Sequence, residues 1–205
     1  MTINQVIIAT TIGLTSMVHG QSAKEYFLPD STHNKVTFYT PSKSGGRTSM
    51  TRAIFYIKKG ATYEVMDARM FNGKASSIQT MTLKFSTNEI KMAKSVSTTM
   101  METNKERDYN PPTVIFKMPP LGKTISWMYT TITGDELKCT SSWTTVNVDG
   151  VDKKAIKLVQ QYVGLSSKSI EYYVKGIGIY RTDLEGDGTT QTSDKFDGLS
   201  YEQTE

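Results

Sequence analysis

The amino-acid sequence predicts a mainly β protein: a single domain of curved antiparallel sheet, open like a half-barrel, with little helix. Three observations carry that prediction. Short runs rich in β-branched and aromatic residues recur along the chain, separated by turn chemistry. Several of them alternate apolar and polar residues with period two, the mark of a sheet with one covered face. Helix signal is scarce, and the one candidate, 97–108 (STTMMETNKERD), opens on a Thr-rich stretch that disfavours a long helix.

The chain divides into three parts. Residues 1–20 carry no charged side chain, and 6–18 (VIIATTIGLTSMV) form an apolar, small-residue run of signal-peptide length. Val18 and Gly20 are the small residues that a cut after Gly20 requires, so 1–20 is expected to be a signal peptide. Residues 21–182 are expected to form the β domain. Residues 183–205 are Gly-, Thr-, Ser- and Asp-rich without any period and are expected to be a flexible acidic tail.

Within the domain the predicted strands are 35–39, 49–58, 62–71, 77–85, 89–98, 113–118, 124–132, 137–148, 153–163 and 170–182. Lys59-Gly60, Asn72-Gly73, Gly134-Asp135 and Asp149-Gly150 supply residues that tolerate a positive φ, as tight hairpins require. Asp149-Gly150, between two alternating runs, is the clearest hairpin. In 77–85, Met81, Leu83 and Phe85 share one face; in 137–148, Leu137, Cys139 and Trp143 do; in 153–163, Ile156, Leu158 and Tyr162 do. The run 49–58 does not alternate cleanly, which predicts cover on both sides. Asn110-Pro111-Pro112 and the stretch 118–122 (MPPLG) read as rigid breaks around a short strand.

Gly176 and Gly178 sit two apart in the run EYYVKGIGIY. No third glycine and no helix follow, so a dinucleotide cradle is a poor reading. Both are expected to be structural: in a continuous strand they bare one patch, where the sheet bends or where Trp127 or Trp143 lies flat on the backbone.

Composition narrows the chemistry. Cys139 is the single cysteine, so no disulfide forms within the chain. An exported chain without disulfides or Asn-x-Ser/Thr sequons fits the bacterial periplasm or cell exterior. No second apolar stretch is long enough to span a bilayer, so no transmembrane segment is expected. Residues 183–205 carry a net charge of −6, leaving +10 on the remainder, but the basic residues never run longer than two and read as a solvated surface. Nucleic acid is not expected as a partner.

With His33 and Cys139 the only such ligands after residue 20, no His- or Cys-rich metal site can form, and no cofactor is expected. Cys139 shares its face with Leu137 and Trp143, which predicts an inert, buried thiol. No G-x-S-x-G elbow is present. Asp67, Glu64, Asp135 and Glu136 read as a cross-strand ion pair and turn carboxylates rather than as a glycosidase pair. Asp183, Glu185, Asp187 and Asp194 match an EF-type calcium loop only in part and read as tail. No catalytic residue is assigned. Trp127, Tyr129, Trp143 and Tyr173 are the candidate ligand-binding aromatics.

Three segments, PPLGKTISW (119–127), the Trp-containing strand with its VDG hairpin (143–150) and YYVKGIGIY (172–180), resemble the C-terminal half of uncharacterised exported bacterial proteins, many from Bacteroidetes. These domain-of-unknown-function proteins are related to the lipoprotein-carrier (LolA/LppX-like) envelope fold. The resemblance covers about residues 113–182 and implies a strongly bent antiparallel sheet with a lipid-sized concavity. It carries over no catalytic residue, and the helices that cover the carriers' concavity have little counterpart here. The resulting expectation is a non-enzymatic exported envelope protein that binds an apolar small molecule or a lipoprotein on a concave sheet face. The alternative is a secreted module binding carbohydrate or cell-surface polymer.

Overall fold

Most strands pair antiparallel with their predecessor, so pairing between neighbours in sequence builds most of the two sheets. The computed structural model describes residues 21–30, 35–39, 50–71, 74–99, 104–186, 189–191 and 200–202. In chain order these form α1 (Ala23–Phe27), β1 (Lys35–Tyr39), β2 (Met50–Lys59), β3 (Thr62–Phe71), β4 (Lys74–Phe85), β5 (Glu89–Thr99) and β6 (Lys105–Lys117). There follow β7 (Ile125–Thr130), β8 (Glu136–Val148), β9 (Val151–Tyr162), β10 (Lys168–Val174), β11 (Gly178–Gly186), β12 (Thr189–Gln191) and β13 (Ser200–Glu202). The predicted signal segment, His33 and Asn72-Gly73 lie outside the described residues.

The chain is mainly antiparallel β, as the alternation predicts. The strands divide between two sheets, ordered β13-β1-β2-β3-β4-β5-β6 and β12-β11-β10-β9-β8-β7, where the sequence reading expects one curved sheet. Local chemistry explains the registers. Asp149 (φ 50°) and Gly150 (φ 83°) both adopt the left-handed conformation of a two-residue hairpin turn, which pairs Val148 with Val151. The Asn147 side chain accepts from the Gly150 N–H at 3.0 Å and locks that turn.

Three local expectations are corrected. Within the helix candidate 97–108, residues 97–99 end β5 and 105–108 begin β6, because Val96 and its neighbours pair across to 105–108 rather than back along the chain. Asn110-Pro111-Pro112 does not end a strand: β6 runs through it. The ladder to β5 jumps from Met92↔Thr113 to Lys94↔Asp108, bulging out the prolines that have no N–H to give it. The continuous strand expected over 170–182 is two strands, β10 and β11, joined by a tight turn at Lys175 and Gly176.

The domain boundary at 183 also moves. β11 continues to Gly186, with Asp183 buried and its carboxylate accepting from Arg181 Nε at 2.7 Å. Beyond it, β12 pairs with β11 and β13 pairs with β1. Of the residues weighed as a calcium loop, Asp183 and Glu185 lie on β11, while Asp187 and Asp194 lie outside the described residues.

The two sheets share one core. From the first sheet come Ile54, Tyr56, Val65, Leu83, Ile90 and Phe116; from the second, Leu137, Cys139, Ile156, Leu158, Tyr173 and Ile179. One end of this core is closed by α1, an element the sequence reading does not contain. Its Tyr26 is 2% exposed and meets Trp143 edge-on at 5.4 Å between centroids. Phe27 stacks on Tyr173 at 5.5 Å and meets Phe116 edge-on at 5.6 Å.

Backbone hydrogen bonds strap this segment down. Ala23 N–H donates to Thr87 O (2.7 Å), Gly176 N–H to Glu25 O (2.9 Å) and Asp30 N–H to Gly176 O (2.8 Å). The Ser22 N–H bonds Glu25 Oε2 at 3.0 Å, and this bond, with Lys175 beyond it, holds the Glu25 carboxyl below its ordinary range.

Candidate functional site

Between the two sheets, with Phe27 of α1 in its wall, lies a cavity of about 470 Å³. That lies within the roughly 300–1,000 Å³ typical of small-molecule sites. Strand alternation decides what faces it. On β2 the residues Arg52, Ile54 and Tyr56 line it, and on β3 Val65, Asp67 and Arg69 do; Gln79 and Met81 of β4 follow the same rule. The second sheet answers with Tyr129, Leu137, Leu158 and Gln160, and with Glu171, Tyr173 and Ile179.

Burial sorts these residues by depth. The deep wall is apolar: Ile54, Val65, Met92, Leu158 and Ile179, with Phe27 of α1 at the closed end, are all buried. Polar groups gather towards the mouth, where Gln79, Ser97, Thr133 and Ser169 are half-buried or exposed. One side of the mouth is the β7–β8 loop, tethered by Arg107 Nη1 donating to Thr131 O at 2.5 Å.

One ionic cluster crosses the cavity. Arg52 donates through Nε and Nη2 to Asp67, at 3.0 and 2.6 Å. Through Nη1 it reaches Glu171 Oε1 on the other sheet at 3.4 Å. Burial opposes the Arg52 charge, but the two carboxylates outweigh that and hold the guanidinium protonated beyond its ordinary range. Glu171 also accepts a 2.6 Å hydrogen bond from the Tyr173 hydroxyl. Burial, reinforced by the Glu171 charge, pushes the Tyr173 hydroxyl well up. Burial does the same to Tyr129, whose hydroxyl has no hydrogen-bond partner among the described residues.

The candidate aromatics separate into two pairs. Tyr129 and Tyr173 line the cavity; Trp127 and Trp143 do not. The indole N–H groups of the tryptophans donate to backbone carbonyls, Trp127 to Val114 O and Trp143 to Pro119 O, both at 2.9 Å. Lys154 Nζ lies 4.0 Å from the centre of the Trp143 ring. Both rings are half-buried against the core, so they brace the 114–119 segment.

Gly176 (φ 75°) and Gly178 (φ 78°) both hold the left-handed conformation. What approaches Gly178 is the backbone of 27–29 rather than an aromatic ring. A Cβ there would stand 3.0 Å from Phe27 O and 3.3 Å from Pro29 N.

Asp67 is in a cross-strand ion pair, with Arg52 of β2. Asp135 accepts a 2.6 Å hydrogen bond from Thr133 Oγ1 within its own turn. Cys139 is fully buried, and burial pushes its thiol up to about 12. Glu171 and Arg52 carry the polar centre of the site and were not singled out from the sequence. The available signal was a charged residue, Arg52, inside a run that otherwise reads as doubly covered strand.

No family model, curated protein or solved structure matches the chain.

Proposed function

We propose that this chain is a non-enzymatic, exported envelope protein that holds an apolar ligand, or the acyl chain of a lipid-modified partner, between its two sheets. The observation that carries the reading is the cavity of about 470 Å³, whose deep wall is built from aliphatic side chains and Phe27. Apolar surface left facing a void is removed from water at about 25 cal/mol per Å² when a ligand covers it. Asp67 and Glu171 both accept from the same guanidinium, so they serve as its counter-ions rather than as an acid and a base in a hydrolase. The tryptophans offer no planar stacking row for a sugar, since both indole N–H groups are engaged by backbone carbonyls.

The test is recovery of the protein from its native host, with its N-terminus expected at Gln21, followed by organic extraction and mass spectrometry. A stoichiometric lipid or other apolar molecule is expected. Protein that carries none, and that takes up no apolar probe after delipidation, would refute the reading.

A further inference from the structure

Arg52 and Arg69 stand directly opposite each other in the β2–β3 ladder, and both side chains line the cavity. Directly opposed residues bring their Cβ atoms to about 4.5–5.5 Å, and like charges placed so are destabilising unless an anion lies between or beside them. Arg52 has its anions, since it holds both carboxylates that line the cavity, Asp67 and Glu171. Arg69 has none: its guanidinium makes no hydrogen bond or ion pair among the described residues. It lies at the exposed, polar end of a cavity whose other end is aliphatic.

The other charged side chains near the mouth add no anion: Lys168 of β10 is a further cation on the cavity lining, half-buried. Arg107 is spent on Thr131 O and on the face of the Tyr109 ring, 5.2 Å from its centre. A free guanidinium fork above an apolar slot is the complement of a molecule with an anionic head and one apolar chain.

We infer that the ligand of this cavity is a single-chain amphiphile with an anionic head. A carboxylate or phosphate bonds Arg69 at the mouth, and the hydrocarbon lies against Ile54, Val65, Met92 and Leu158. This inference rests on the apolar-ligand reading above and adds the head group to it. Arg52 screens the head from Asp67 and Glu171, so its ion cluster is the positioning element and Arg69 the contact.

The experiment uses the full chain, delipidated, and a fluorescent long-chain fatty acid beside its methyl ester. A lysophosphatidic acid and a lysophosphatidylcholine of equal chain length separate carboxylate from phosphate heads. The fatty acid, the lysophosphatidic acid or both should bind at least about tenfold more tightly than their uncharged or zwitterionic counterparts, the size of one charge-assisted contact. Raised salt should shrink that preference. Arg69→Gln should abolish it while leaving ester affinity unchanged, and Arg69→Lys should retain part of it. Arg69 is exposed, so unchanged melting temperatures will show that both variants fold. Equal affinity for acid and ester in the wild-type chain overturns the head-group assignment and leaves the apolar cavity standing. An acid preference that survives Arg69→Gln also overturns the assignment. Failure of all four probes to bind overturns both readings.

Discussion

A glycine can look alike in sequence whether it thins a strand or ends one. The pair in KGIGIY shows the difference, because alternation through 170–182 reads as one strand until the positive φ values of Gly176 and Gly178 are seen. Two glycines mark a close approach, but the sequence does not say of what. The partner proves to be the carbonyl of Phe27, some 150 residues earlier in the chain. Gly178→Val therefore forces a β-branched residue into a left-handed conformation and drives its Cβ against fixed backbone. We expect a loss of about 1–4 kcal/mol in denaturant unfolding, while Gly178→Ala should already cost part of it. The same legibility problem holds at Arg52 and Glu171. Each is an isolated charge in an apolar run, and only the meeting of two sheets makes them partners.

Among the elements, those with long alternating patterns were readable and the short one was not. β8 and β9 lie within two residues of their predicted bounds, since period two over ten or more residues has few rival explanations. The five residues of α1 are too few to show a helical period, and nothing in AKEYF announces a plug. Its importance is tertiary: Tyr26 and Phe27 fill the closed end of the core, while its backbone is tied to Thr87 and Gly176. We expect Tyr26→Ala to destabilise the protein by about 3–5 kcal/mol, as for other large buried aromatics, measured by chemical unfolding. A change below about 1 kcal/mol would mean that α1 merely decorates the sheets.

At the scale of the molecule, alternation reveals sheet but not the number of sheets, because a strand's two faces read the same whether its neighbours curve round or a second sheet closes over them. The shared core has a measurable consequence in alkali. Burial raises Tyr129, Tyr173 and Cys139 above their ordinary values of 10.0 and 9.0. In an unfolded chain they ionise at those ordinary values, so their contribution to stability is whole below pH 9 and drains away as pH rises further. Tyrosinate absorbance from the core should thus appear together with loss of sheet signal, and never ahead of it.

The order of strands also has a bearing on how the protein is made. β1 to β6 of the first sheet precede every strand of the second, and β13 alone joins the first from the far end of the chain. During synthesis the inner face bearing Ile54, Val65, Leu83, Ile90 and Phe116 is complete before residues 125–186 exist to cover it. The nascent chain therefore shows its surroundings an apolar, unpaired sheet for as long as the second half takes to emerge. A chaperone that masks that face, or a route that keeps the chain extended until release, would decide how much of the protein reaches its folded form.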